Sequence, residues 1–228
     1  MKHHQFILPL SLLAGCAPSS GSPPSMPPER AKEKAKTFTV DVWADNWFAM
    51  YLEDSLVGED SVPITTERSF NSETFSFDAD YPLHINVVVK DYKQNDTGLE
   101  YIGTPRQQMG DGGFIAQITD NRLGRVVGGT DAAWRCLVIH EAPLDKSCEA
   151  SRDPSARCDS STRPEPVGWK SADFDTTDWP VATEYEERQV RPKDGYDRIA
   201  WDERARLIWT ADLETHNTLL CKAVIDAP

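Results

Sequence analysis

Apolar and polar residues alternate along much of the chain beyond residue 36, and a period of two is that of a β-strand with one face buried. Leu83, Ile85, Val87 and Val89 share one side of such a run, with His84, Asn86 and Lys90 on the other. Runs of the same kind cover Thr37 to Trp43, Asn46 to Leu52, Glu73 to Phe77, Gly113 to Thr119, Trp134 to His140, Arg206 to Thr210 and Asn217 to Ile225. Turn-forming residues separate them, among them Asp54, Gly58, Asn95 to Gly98, Gly110-Asp111-Gly112-Gly113 and Gly128-Gly129. Helical periodicity is confined to a weak turn around Thr183 to Gln189. The pattern predicts an all-β fold, an antiparallel β-sandwich with extended loops over residues 37–228.

The longest of those loops, Glu141 to Pro166, is longer than a compact domain tolerates without a staple. Cysteine supplies one. Of the 5 cysteines, Cys136, Cys148, Cys158 and Cys221 lie in the strand-forming part, and four cysteines permit three pairings. We favour Cys136 with Cys221, both in strand-like runs, and Cys148 with Cys158, which closes a polar loop with little other means of order. Zinc ligation is the competing use, but no Cys-x-x-Cys spacing is present.

The chain carries 24 Lys and Arg against 37 Asp and Glu, a net charge of −13, which argues against a nucleic-acid partner. The same acid excess suits a soluble, self-repelling surface. At the front, Lys2 precedes an apolar stretch from Phe6 to Leu13, followed by Leu13-Ala14-Gly15-Cys16. That segment resembles a bacterial lipobox. The resemblance implies a signal peptide over 1–15, cleavage before Cys16, and diacylation of the Cys16 thiol with acylation of the new amino terminus, palmitate being the usual chain. Ala17 rather than Asp follows the cysteine, which in Gram-negative sorting patterns implies the outer membrane. An ordinary secretory signal with a chance cysteine is the alternative. No window approaches the roughly 20 apolar residues of a membrane-spanning helix. Acyl chains at about 0.8 kcal/mol per buried methylene would instead anchor the protein to the lipid bilayer. Residues 16–36 are rich in Pro, Ser, Gly and charge, and read as a disordered tether.

Two segments resemble the galactose-binding-like jelly roll of glycoside hydrolase accessory domains and bacterial surface proteins. One runs Ala44-Asp45-Asn46-Trp47-Phe48-Ala49-Met50-Tyr51-Leu52-Glu53-Asp54-Ser55-Leu56-Val57-Gly58, an acidic turn and aromatic strand followed by a tight turn and return strand. Here Glu53-Asp54-Ser55 replaces the family's Asn-Gly turn. The other comprises Trp169 and Phe174-Asp175-Thr176-Thr177-Asp178-Trp179-Pro180-Val181-Ala182, similar to the family's Phe-Asp-Asp-Ser-x-Trp-x-x-Ala run. The resemblance implies a jelly-roll sandwich and says little of the ligand, because one fold hosts many functions. Phe174 and Trp179 can plug one end of the sandwich while Asp175 and Asp178 accept backbone N–H groups. Calcium is the one cofactor considered, at Asp173, Asp175 and Asp178, whose near-alternate carboxylates can converge on a hard cation.

Sugar recognition requires an aromatic face and planar polar groups on rigidly held loops. Trp43, Trp47, Tyr101, Arg106 and Trp134 are the nominees, with Asp45 and Asn46 at a strand edge and Gln107, Gln108 and Asp111 as polar partners. Taken singly, each aromatic is better suited to the core, because a sandwich this size needs large buried side chains. His84, His140 and His216 offer a second idea, a metal site, although none is spaced i, i+2 or i, i+4 from another. Catalytic signatures such as Gly-x-Ser-x-Gly, His-Glu-x-x-His or a Walker lysine are absent from the sequence, and no carboxylate pair stands out. The expectation is therefore a non-enzymatic binding or assembly module on the cell envelope, with carbohydrate or another cell-surface partner as its ligand. The alternatives are an accessory subunit of an extracytoplasmic enzyme, glycoside hydrolase-like or associated with phosphatidylethanolamine-binding-like proteins, or a metal-binding surface lipoprotein.

Overall fold

The computed structural model describes residues 35–228. The lipobox-like segment, Cys16 and the tether up to residue 34 lie outside the described residues. Fourteen strands follow in order: β1 Lys36–Asp45, β2 Trp47–Leu52, β3 Ser55–Glu59, β4 Ser72–Ala79, β5 Leu83–Lys90, β6 Leu99–Glu100 and β7 Gln108–Met109 come first. Then come β8 Gly113–Asp120, β9 Arg125–Gly129, β10 Arg135–Glu141, β11 Ser161–Thr162, β12 Thr183–Tyr185, β13 Leu207–Trp209 and β14 His216–Ile225. One short helix, α1, spans Glu187–Val190.

The strands form two antiparallel sheets. The first has the order β12-β13-β8-β1-β4, with β9 also paired to β8, and the second the order β11-β10-β14-β5-β2-β3. A two-stranded ribbon, β6-β7, stands apart. Alternation decides which face turns inward. Phe38, Val40, Val42 and Ala44 of β1 meet Phe48 and Met50 of β2 and Ile85, Val87 and Val89 of β5 in one buried core between the sheets. On the outer face of β1, Thr37, Thr39 and Asp41 stand in register with Asp78, Ser76 and Thr74 of β4 and bond to them at 2.6, 3.0 and 2.7 Å. Each fully buried large apolar side chain stabilises this core by about 1.5–3 kcal/mol relative to leaving it in water.

Both disulfide pairings read from the sequence are present. Cys136 and Cys221 face each other in register across β10 and β14, inside the core, and Cys148 pairs with Cys158 in the long loop. That loop also contains two short 3₁₀ turns, Lys146–Ala150 and Pro154–Ala156.

The outer face of the second sheet is covered as well. Trp169 and Trp179, with Phe174 at their edge, pack on Val88, Ile139 and Leu220. The Phe174–Trp179 segment thus lies across a sheet instead of plugging one end, because the β5 and β14 residues that point away from the core are themselves apolar at Val88 and Leu220. A polar pair, buried Asn86 and half-buried Lys222, fastens this cover. Asn86 and Lys222 are cross-strand partners, and the Asn86 amide donates to Lys170 O at 2.9 Å. The Lys222 ammonium donates to Asn86 Oδ1, Trp169 O and Ser171 O at 2.6, 2.8 and 3.1 Å.

Three local expectations are revised. Thr183–Tyr185 is a strand paired with β13, and helix begins only at Glu187, where Gln189 Oε1 accepts from the Glu186 amide at 2.9 Å in a capping box. Gly58 and Gly128-Gly129 lie within β3 and β9 instead of in turns. At Gly58 the ring of Phe75 occupies the space a Cβ would need, which is why a strand carries glycine there.

Candidate functional site

One end of the sandwich is built from the ends of three strands. β1 passes from the first sheet into β2 of the second through Asp45 and Asn46. The Asn46 amide donates to Lys90 O at 2.8 Å, and its side-chain oxygen accepts from the Tyr92 amide at 2.5 Å. Asn46 is fully buried and its side-chain amide also donates to Glu67 O at 3.2 Å, so its groups are spent on bracing the corner. These bonds place Asp91, the residue after β5, next to Asp45. Asp45 also pairs with Gly113 at the start of β8, which brings in Asp111 two residues earlier.

Asp45, Asp91 and Asp111 each present an oxygen within 4.8 Å of the other two. Asp45 is 0% exposed and Asp91 2%. Among the described residues, Asp45 Oδ1 and both oxygens of Asp91 have no hydrogen-bond partner. The nearest countercharge is Lys193, in the loop after α1, whose ammonium lies 3.1 Å from Asp45 Oδ2 and 2.9 Å from Asp111 Oδ2. Glu100 of β6 is buried beside them and accepts from Gln108 Nε2 at 3.0 Å.

One ammonium does not offset this much buried carboxylate. Burial, reinforced by Asp111 and opposed by Lys193, pushes Asp45 up to about 7. Burial followed by Asp45, Glu100 and Asp111 holds Asp91 well above the carboxylate range. Glu100 rises to about 8, again through burial and then Asp111. Burial alone would lower the Lys193 ammonium, but Asp45 and Asp111 outweigh it and hold it raised. Asp45, Asp91 and Glu100 are therefore biased toward their protonated forms, and a bound cation would compete with those protons.

Above this centre opens a cavity of about 500 Å³. Glu100, Asp111 and Lys193 line it together with Glu67, Arg68, Tyr101, Arg106 and Gln108. The Arg106 guanidinium lies over the Tyr101 ring, 4.2 Å from its centroid. Gln107, beside it in sequence, does other work: its amide donates to Glu149 O and Ser151 O at 2.5 and 2.9 Å and ties the β6-β7 turn to the disulfide loop.

The structure gathers Asp45, Tyr101, Arg106, Gln108 and Asp111 of the nominated residues at this end, holds Asn46 and Gln107 there in bracing roles, and assigns the three tryptophans to packing. Trp43 is fully buried, its indole N–H donating to Asp194 O at 3.2 Å, and Trp134 is 2% exposed in the main core. Both are core because β1 and the start of β10 need large apolar side chains on covered faces. Trp47 packs at the edge of the outer cluster on the second sheet, with the Lys90 ammonium 4.8 Å from its ring. A sugar face built from several of these aromatics is therefore reduced to Tyr101.

Asp173, Asp175 and Asp178 do not form a converging group among the described residues. Their exposed turn points Asp175 Oδ1 at the Thr177 amide, 2.8 Å away, and so spends that carboxylate on the backbone. Nor do the histidines converge: His216 Nδ1 is bonded to Thr210 Oγ1 at 2.5 Å, His140 is buried and His84 lies on β5. Burial lowers both His140 and His216.

Asp91, Glu100 and Lys193 were not legible as site residues. They come from a strand end, a ribbon and a loop far apart in sequence, and only the β1–β5–β8 corner unites them. No family model matches the chain, and neither a curated protein nor a solved structure matches it.

Proposed function

We propose that the protein is an extracytoplasmic binding module, held to the bacterial envelope through a lipidated Cys16, that takes a polar ligand of the carbohydrate class in the cavity at the acidic end of its sandwich. The observation that carries this reading is the cavity of about 500 Å³, in which two aromatic rings, Tyr101 and Phe70, stand among the planar polar side chains Arg106, Gln108 and Glu67. A cavity of that size whose lining is mostly polar and charged suits a small polar ligand. The galactose-binding-like jelly roll suggested by the Ala44–Gly58 and Phe174–Ala182 segments is part of the same proposal, as is placement in the outer membrane.

A glycan array on the full chain, followed by calorimetry with Tyr101→Ala, tests it. A saturable glycan isotherm weakened about tenfold by the substitution is the expected result. An array without response, or binding indifferent to Tyr101, would sink the carbohydrate reading. Mass spectrometry finding an unmodified Cys16 in the native host would sink the anchor. A hydrolytic reading has one observation in its favour, the raised carboxyl of Glu100 beside Asp111. Release of a shortened glycan during the array follow-up would favour it.

A further inference from the structure

We infer that Asp45, Asp91 and Asp111, with Glu100 beside them, bind a hard divalent cation of the calcium class at the floor of the cavity, and that Lys193 gives way when it does. The inference goes beyond the carbohydrate proposal and does not depend on what the cavity takes.

Geometry comes first. Three carboxylate oxygens within 4.8 Å of one another have the spread of a single coordination sphere. Acidic clusters on protein surfaces often mean nothing, but this one is not a surface. Asp91 is only 2% exposed, and neither of its oxygens accepts a hydrogen bond among the described residues, nor does Asp45 Oδ1. A buried polar atom without a partner costs about 1–3 kcal/mol, and more when charged, so three at one point need an explanation. A bound cation supplies it.

The donors select the ion. All are carboxylate oxygens, with no thiolate or imidazole among them, which favours calcium, magnesium or manganese over zinc or copper. The rest of the sphere faces the cavity, where water or a ligand hydroxyl can complete it, because Asp111 and Glu100 line the cavity while Asp45 and Asp91 lie behind them.

Lys193 fits the role of displaceable countercharge. Its side chain is 36% exposed and sits on a flexible stem, and it contacts Asp45 and Asp111 but makes no bond to Asp91. It therefore holds part of the site while leaving the deepest carboxylate unsatisfied.

Calorimetry on the full chain, purified in detergent and dialysed against chelator, tests the inference with calcium, magnesium and manganese chlorides as the titrants. One ion per chain is expected, with a dissociation constant of about 10⁻⁵–10⁻³ M. Asp91→Asn and the more exposed Asp111→Asn should each weaken binding about tenfold or more, with circular dichroism unchanged. Lys193→Met, which removes the competing ammonium, should tighten it. No saturable binding of any of the three ions by the wild-type chain overturns the inference, and so does binding that both aspartate variants leave intact. If Asp91→Asn fails to fold, Asp111→Asn and Lys193→Met still decide the matter. Glycan binding plays no part in these readouts, so failure here and failure of the carbohydrate reading are distinguishable.

Discussion

Gly110 lies against Asp91 so closely that a Cβ built on residue 110 would overlap the Asp91 carboxylate. The glycine between β7 and β8 is thus part of the acidic centre without contributing a ligand: it leaves the Asp91 oxygens room to face Asp45 and Asp111.

Gly110→Ala tests that relationship. The added methyl has to move either Asp91 or the Met109–Asp111 backbone, and overpacking of this kind costs about 1–3 kcal/mol. Chemical denaturation should show that loss. If the centre binds a cation, the affinity should fall along with the stability. An alanine variant as stable as the wild type would mean that the Asp91 position is not constrained by residue 110.

The raised carboxyls give a signed pH dependence. Asp45 and Asp60 are raised to about 7 and Glu100 to about 8, all chiefly by burial. Asp45 and Glu100 face Asp91, Asp111 and Lys193, whereas Asp60 faces Glu73 and the Val62 amide. Above about pH 5 the unfolded chain has released these protons while the folded chain retains them, so the folded state loses stability as pH rises through 7 and 8. The lowered His140 and His216 act in the opposite sense, but their contribution is complete above their ordinary value of 6.5. In chelator, the melting temperature should therefore decline between pH 6.5 and 8. Calcium at about 100 times its dissociation constant should restore about 2.7 kcal/mol, or about 5–10 °C for a domain of this size. A melting temperature that is flat or rising over that interval in chelator would contradict the assignment of buried, protonated carboxyls.

The two disulfides should contribute unequally. Cys136–Cys221 closes a sequence separation of 85 and lies inside the core, whereas Cys148–Cys158 closes a separation of 10 in a loop. By loop-closure entropy the first is worth about 4–5 kcal/mol and the second about 2–3 kcal/mol. Equilibrium unfolding of the paired Cys→Ala variants should rank them in that order. The reverse order would mean that the 142–166 loop holds more of the fold than its packing implies.

How much of this the sequence disclosed depended on how local each signal was. Alternation at Leu83, Ile85, Val87 and Val89 reports one buried face directly, so the core strands were legible. The disulfide partners were legible because Cys136 and Cys221 sit in two strands that each needed a neighbour. Alternation could not report that Val88 and Leu220 are also covered, since it carries no information about what packs on the second face. The sequence therefore suggests an end plug for Trp179, and says nothing of Trp169, where both cover the outer face of the second sheet. At the acidic centre, Asp45 and Asp111 stood out beside a strand edge and a glycine-rich turn, but Asp91 looked like any charge after an apolar strand. Its meaning comes from burial, and burial at a corner shared by three strands is a property of the fold.

The inferred cation site lies at the end of the sandwich where β1, β5 and β8 meet. The most direct measurement is an anomalous difference map from crystals of the protein grown with manganese. One strong peak is expected about 2.0–2.6 Å from oxygens of Asp45, Asp91 and Asp111, with the Lys193 ammonium moved away from them. A map in which Lys193 still bridges Asp45 and Asp111 and no density lies between the three carboxylates would contradict it.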